Sequence, residues 1–332
     1  MAEYINIKGQ NIEVVASDPA NPTLGQIWYN STSNTLKGGA VSTAGTWATG
    51  GNLATSRYGV RGAGTQTAGL AFGGSTPPFT TATEEYNGSS WTAGGALATE
   101  KRRVAGAGTQ TAALSFGGQS TPPPLYSNTT EEYNGSTWTA GGNMGTARYG
   151  LSGAGTQTTG LGFGGFTGPP TVTTTATEEY DGASWTAGGA LNTGRAAMAG
   201  CGLQTAALAI AGNAPPGRAA TEEYNGTSWT SVNSLNTGRS YLGGFGSQTA
   251  AAAAFGINPP TTDLSATEEY DGTSWTSNPV SGSTARNDIG SAGTSPVGIF
   301  FGGRATPSDT PQNATEEYTR SGAITTKTIT AS

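Results

Sequence analysis

The phrase Thr-Glu-Glu-Tyr occurs six times, at Thr83–Tyr86, Thr130–Tyr133, Thr177–Tyr180, Thr221–Tyr224, Thr267–Tyr270 and Thr315–Tyr318. A repeat this strict limits the fold more than any composition figure. Each copy must adopt the same local structure and bury itself against its neighbours. Six tryptophans of a second repeated phrase, Trp47, Trp91, Trp138, Trp185, Trp229 and Trp275, are spaced 44, 47, 47, 44 and 46 residues apart. Fifteen residues after each comes a glycine: Gly62, Gly106, Gly153, Gly200, Gly244 and Gly290. The first five open Gly-Ala-Gly-Thr-Gln or a variant, and the sixth copy reads as holding an inserted Ser291. A short apolar run ending in glycine follows, as in Phe72-Gly73-Gly74.

Each unit reads as four short strands. In the third copy these are Tyr149–Gly155, Thr158–Gly164, Ala176–Tyr180 and Ser184–Ala187. Asp181-Gly182 joins the last two, and Asn-Gly or Asp-Gly between strands signals a type I′ hairpin. No stretch shows a capped helical period. The expected fold is therefore all-β: a six-bladed β-propeller with four-stranded blades. The first Trp phrase has no Thr-Glu-Glu-Tyr before it, and the last Thr-Glu-Glu-Tyr has no Trp after it. The C-terminal strand is thus expected to pair with the strand bearing Trp47, closing the ring and leaving no open edge. The expected division is residues 1–36 as an N-terminal β segment and 37–332 as the propeller.

The order double glycine, acidic-Tyr strand, Trp strand and then Thr-Ala-Arg-x-Gly resembles the kelch repeat. Met144-Gly145-Thr146-Ala147-Arg148-Tyr149-Gly150 followed by Phe163-Gly164-Gly165 is the closest copy. The Tyr-to-Trp gap holds four residues here, where the kelch pattern usually has six. The double glycine also decays to Ala211-Gly212 and Phe255-Gly256. The resemblance implies a propeller and no single function. The enzymatic kelch relative, galactose oxidase, needs copper-binding histidines, and this chain has none.

Residues 1–36 stand outside the repeat. The run Ala20-Asn21-Pro22-Thr23-Leu24-Gly25-Gln26-Ile27-Trp28-Tyr29-Asn30-Ser31-Thr32 resembles a segment near the N-terminus of tail-fibre and other structural proteins of tailed bacteriophages. From its residues it reads as two β hairpins with a Pro-rich break. Ile5, Ile7, Ile12, Val14, Val15, Ile27, Trp28 and Tyr29 need burial, and a filled ring has no place for them. Ile5, Ile7, Ile27, Trp28 and Tyr29 are thus candidates for attachment to a particle or to another copy of the chain. Thr, Ser, Gly and Asn dominate the polar surface and only four lysines occur. That outward-facing composition, with no secretory apolar region at the N-terminus, suits a virion protein made in the host cytoplasm and exposed on the particle.

Composition removes several alternatives. Net charge is −6 with 15 basic residues in 332, which argues against a nucleic-acid partner. No apolar run approaches the length of a membrane span. Without histidine, Ser-His-Asp triads and His-ligated metals are excluded. A lone Cys201 excludes an internal disulfide. No metal or other cofactor is expected.

The Glu-Glu pairs take up 12 of the 21 acids. They suggest a glycosidase only until geometry is considered, because neighbouring strand residues point to opposite faces. The first Glu shares a face with the Tyr and requires a partner if buried. A repeating basic residue lies 10 or 11 positions after each Trp: Arg57, Lys101, Arg148, Arg195, Arg239 and Arg286. Two readings compete for this set. One is a structural Glu–base pair; the other is a ring of cations at the channel mouth, the face where partners bind in kelch propellers. The loops Ser75–Ala82, Gln119–Thr129, Phe166–Ala176, Asn213–Ala220, Ile257–Ala266 and Arg304–Ala314 differ in length and content, and varied loops on a rigid scaffold are where binding concentrates. The expected function is a non-enzymatic structural protein of a tailed phage. It attaches to other virion proteins through its N-terminus, with self-association an option, and meets a host glycan or protein through the loop face. The alternatives are a cellular kelch-type binding module and, further off, a glycan-active enzyme.

Overall fold

A computed structural model describes residues 12–19, 23, 25–41, 44–121, 125–168, 172–214, 218–258, 262–306, 308–322 and 324–329. The chain forms two compact units, Thr46–Thr319 and Met1–Gly45 with Arg320–Ser332. Every element is a strand; among the described residues there is no helix.

The larger unit contains six four-stranded antiparallel sheets. They are numbered 1 to 6 by their Thr-Glu-Glu-Tyr strands in chain order. Sheet 1 is built from Arg61–Gly64, Gly69–Phe72, Thr83–Tyr86 and Trp91–Ala93, hydrogen-bonded in that order. Sheets 2 to 5 repeat this plan. In sheet 6 the fourth strand comes from the other end of the unit: Thr315–Thr319 pairs with Thr46–Thr49, placing Tyr318 opposite Trp47. The first strands adjoin one another in a cycle, sheet 1 beside 2 and so on to sheet 6 beside sheet 1, a propeller-like arrangement.

Two local expectations change. Tyr86 lies opposite Trp91, so Asn87–Ser90 is a four-residue connection rather than a two-residue type I′ turn. Asn87 Oδ1 accepts the backbone N–H of Ser89 and Ser90, and only Gly88 takes positive φ (+90°). The Asn side chain thus does work that a second left-handed residue would otherwise do. Ser291 is not an insertion. It lies opposite Phe300 as Gly62 lies opposite Ala71, so it replaces the repeat glycine.

The core lies between consecutive sheets. One cluster joins Ala63, Leu70 and Phe72 of sheet 1 to Val104, Ala113, Tyr133 and Trp138 at sheet 2, with the Phe72 and Trp138 rings 5.1 Å apart. Fully burying such a side chain stabilises the fold by about 1.5–3 kcal/mol.

In the smaller unit the sheet order is Glu13–Val15, Ile27–Asn30, Thr35–Val41, Ile324–Thr328. Among the described residues the unit holds one hairpin, a parallel strand and a strand from the C-terminal region, and the rest of the expected pair of hairpins falls on residues outside those described. The division expected at residue 36 shifts accordingly: residues 37–45 and 320–332 group with the N-terminal segment. Trp28 is fully buried inside this unit, so it is not an exposed attachment residue. Its Nε1–H donates to Asp18, which also accepts from Asn30 (2.7 Å) and Lys37 (2.6 Å). Lys37 first, then Asn30 and Trp28, pull the Asp18 carboxyl down to about 2. Ile27 and Tyr29 are half-buried; Ile5 and Ile7 lie outside the described residues.

Candidate functional site

The repeated cations and the first glutamates meet within each sheet. The separations are 2.9 Å for Arg57–Glu84, 2.7 Å for Lys101–Glu131, 3.0 Å for Arg148–Glu178, 2.8 Å for Arg195–Glu222, 2.5 Å for Arg239–Glu268 and 2.6 Å for Arg286–Glu316. All twelve residues are buried. The second carboxylate oxygen accepts a backbone N–H from the loop before the cation, as Ala54 N–H does to Glu84 and Gly145 N–H to Glu178. Arg57 also donates to the carbonyls of Gly73 and Ala82. Burial pulls the guanidinium pKa of Arg57 and of Arg148 down to about 10, against the opposing charge of Glu84 and Glu178. These six residues therefore do not form an open cationic ring; each fastens loop and strands of its own sheet.

The second glutamates bind the next sheet. Tyr133 OH donates to Glu85 (2.6 Å), Tyr180 to Glu132 (2.6 Å), Tyr224 to Glu179 (2.6 Å), Tyr270 to Glu223 (2.9 Å), Tyr318 to Glu269 (2.5 Å) and Tyr86 to Glu317 (2.7 Å). The circuit returns to its start. Burial, then the carboxylate bond, pushes Tyr86, Tyr133, Tyr180 and Tyr224 up to about 12. Glycines allow the approach: a Cβ at Gly94 would lie 2.7 Å from Tyr133 OH.

A second circuit surrounds the axis, at a position outside the repeated phrases. Two residues after each cation stand Gly59, Arg103, Gly150, Ala197, Tyr241 and Asp288. All six take left-handed φ, between +51° and +64°. Each backbone N–H donates to the preceding member's carbonyl: Arg103 to Gly59, Gly150 to Arg103, Ala197 to Gly150, Tyr241 to Ala197, Asp288 to Tyr241 and Gly59 to Asp288, at 2.7–2.9 Å. A left-handed L-residue costs roughly 1–2 kcal/mol, and the closed bonds hold four of them. Arg103 and Tyr241 are opposite members, yet the guanidinium lies 4.6 Å from the Tyr241 ring centroid, so the side chains cross the middle. Arg103 also donates through Nε and Nη2 to Asp288 Oδ2, both at 2.8 Å. This end of the axis is plugged.

Beyond the plug the first strands enclose a channel of about 490 Å³. Its walls are mostly glycine and alanine with Cys201, Leu203 and Phe245, and it reaches the hairpin ends at Thr109, Thr156, Ser247 and Thr294.

At the plugged end the residue after each cation bridges to the start of the following variable loop, as Tyr58 to Ser75, Tyr149 to Phe166 and Ala196 to Asn213. Both loop sets therefore share this end. Its side chains break the repeat. Arg102 donates to Tyr58 OH (3.0 Å) and Gln119 Oε1 (2.8 Å) and lies over Phe79, while Arg304 lies over the Tyr58 ring from the other neighbouring sheet. Tyr126 stacks on Tyr149, which packs on Phe166, with centroids 5.2 and 5.1 Å apart. Sheet 4 carries Ala196 and Ala197 at the same places. Among the described residues no three His, Cys, Asp or Glu side chains group as a metal site. Neither the known protein-family models nor the curated proteins contain a match to the chain.

Proposed function

We propose that the chain is a six-bladed, kelch-like β-propeller acting as a non-enzymatic binding module on the outside of a tailed phage particle. In this reading its plugged loop end meets a host-surface glycan or protein, and the N-terminal region joins other virion proteins. The observation that carries the binding role is the arc Arg304–Tyr58–Arg102–Phe79 and Tyr126–Tyr149–Phe166 on an otherwise repeated scaffold. Tyr58, Phe79, Arg102, Tyr126, Tyr149 and Arg304 are half-buried over a buried Phe166, and partly exposed aromatic and guanidinium groups on a rigid scaffold are typical of recognition surfaces. The repeated carboxylates support a non-enzymatic reading, because each is engaged by a cation or a tyrosine of the scaffold. The phage assignment rests on the resemblance around Trp28 and on the outward-facing composition.

The test has two readouts. Antibody against the protein should label intact particles, and Tyr58→Ala with Tyr149→Ala should weaken adsorption of the purified protein to host cells at least tenfold. Protein found only in the soluble fraction of the lysate overturns the virion assignment. Unchanged adsorption by the double variant overturns the loop-face site.

A further inference from the structure

The axial channel has no part in that reading, and it carries a charge the scaffold does not require. Arg61 lies opposite Phe72 on the first strand of sheet 1. The matching positions, by register, are Ala105, Ser152, Ala199, Gly243 and Gly290. Sheets 2 to 6 therefore form with a small neutral residue where sheet 1 places a guanidinium.

Arg61 lines a narrow, polar end of about 60 Å³. Gly62, Gly106, Gly153, Gly200, Gly244 and Ser291 line both this end and the wide channel, so the two cavities adjoin at that ring of residues. The nearest carboxylate is Asp288, whose Oδ1 is 3.9 Å from Arg61 Nη1. Asp288 already takes two charge-assisted bonds from Arg103, so two guanidiniums share one anion. The hydrogen bonds of Arg61 go to neutral carbonyls, Val60 at 2.9 Å and Ile289 at 3.2 Å. Asp288 Oδ1 is buried and accepts no hydrogen bond. Arg304, the other cation near Asp288, is paired with Asp309. One positive charge is left without its own counter-ion at the closed end of an apolar tube, where an unpaired ion is costly.

We propose that the channel binds a linear aliphatic carboxylate, its head paired with Arg61 and its chain between the glycine and alanine edges. The ligand would enter from the hairpin end at Thr109, Thr156, Ser247 and Thr294. A volume of about 490 Å³ lies within the range of small-molecule sites. A carboxylate meets a guanidinium through two parallel bonds. Cys201 stands in the channel wall and provides a built-in reporter.

The experiment is calorimetric titration of the full-length protein with decanoate, decanol and decyltrimethylammonium, alongside alkylation of Cys201 by iodoacetamide. Decanoate should bind saturably at one site, at least tenfold tighter than either comparator, and should slow alkylation. Arg61→Ala places at this position the residue found at Ala105 and Ala199, so it should fold and lose at least tenfold in affinity. No saturable binding of decanoate, equal binding of decanol, or full affinity in Arg61→Ala overturns the proposal. Should Arg61→Ala fail to fold, Cys201 protection in the unaltered protein decides: protection by decanoate and not decanol supports the site, and equal or absent protection overturns it.

Discussion

Glu178 and Glu179 are adjacent and do unrelated jobs. Strand alternation sends Glu178 into its own sheet, to Arg148 and Gly145 N–H, and Glu179 across to Tyr224 of the next sheet. Replacing Glu178 by Gln leaves a buried guanidinium without its counter-charge, and breaking a buried pair costs about 3–5 kcal/mol. Glu179→Gln keeps an acceptor for the tyrosine and should cost about 1 kcal/mol. Urea midpoints of the two variants should differ in that order; equal shifts would contradict the division of labour. The first partnership is legible in the sequence, because both members recur at fixed offsets. The second is not, since which face of one sheet meets which tyrosine of the next depends on packing between sheets. Arg61 and Asp288 are hidden for the opposite reason: they depart from the repeat, and the repeat is the only signal.

Among the elements, the contact between sheets 5 and 6 differs from the other five. Elsewhere a Trp indole donates to the neighbouring strand's Thr, as Trp91 to Thr315 and Trp138 to Thr83. A Gln amide also bridges two carbonyls of the neighbour, as Gln110 does to Gly69 and Tyr86. At sheets 5 and 6 both Trp47 Nε1 and Thr267 Oγ1 lack a partner, and Ser295 occupies the Gln position. Aromatic packing takes over. Phe255 sits at the first glycine of the pair with φ +63°, its ring 5.3 Å from Trp47 and 5.5 Å from Phe300. The apparent decay of Gly-Gly to Phe-Gly is thus a substitution of side-chain burial for backbone ease. Ala211, in the same position of sheet 4 with φ +57°, has no such ring. Ala211→Gly should stay within about 0.5 kcal/mol of neutral, since relief of strain and gain of unfolded-state entropy nearly cancel. Phe255→Gly should cost about 2–4 kcal/mol, the loss of a buried ring less the strain relieved. Thermal unfolding of both variants checks the sign; a neutral Phe255→Gly would remove the case for compensation.

For the molecule as a whole, the tyrosine circuit sets an alkaline limit. The tyrosines titrate near 10 when unfolded and about 12 for Tyr86, Tyr133, Tyr180 and Tyr224 in the fold. The folded state holds these protons more tightly, so their stabilisation is complete below pH 10 and is lost between 10 and 12. Tyrosinate absorbance and circular dichroism should change together in that window. Ionisation near pH 10 with the fold intact would show that the hydroxyls are free. At this scale the large unit is legible in the sequence almost entirely, the borrowed strand of sheet 6 included, because six Trp and six Thr-Glu-Glu-Tyr phrases are offset by one. The small unit is not. Ile324–Thr328 is five residues of Ile, Thr and Lys with no repeat to mark its partner, and only its pairing with Thr35–Val41 reveals where it belongs.

The strand borrowed by sheet 6 also has a consequence in time. Trp47 and Tyr318 pair across 271 positions of chain. At roughly 5–20 residues per second of synthesis, the Trp47 strand waits some 14 to 54 s for its partner. Sheets 1 to 5 can each form as their own four strands leave the ribosome, but the Trp47 strand belongs to none of them. During that interval it is an unpaired edge bearing an exposed indole, the kind of segment that joins strands of other chains. Its short length, four residues of Thr-Trp-Ala-Thr, and the glycines that follow limit that hazard while the rest of the chain is made.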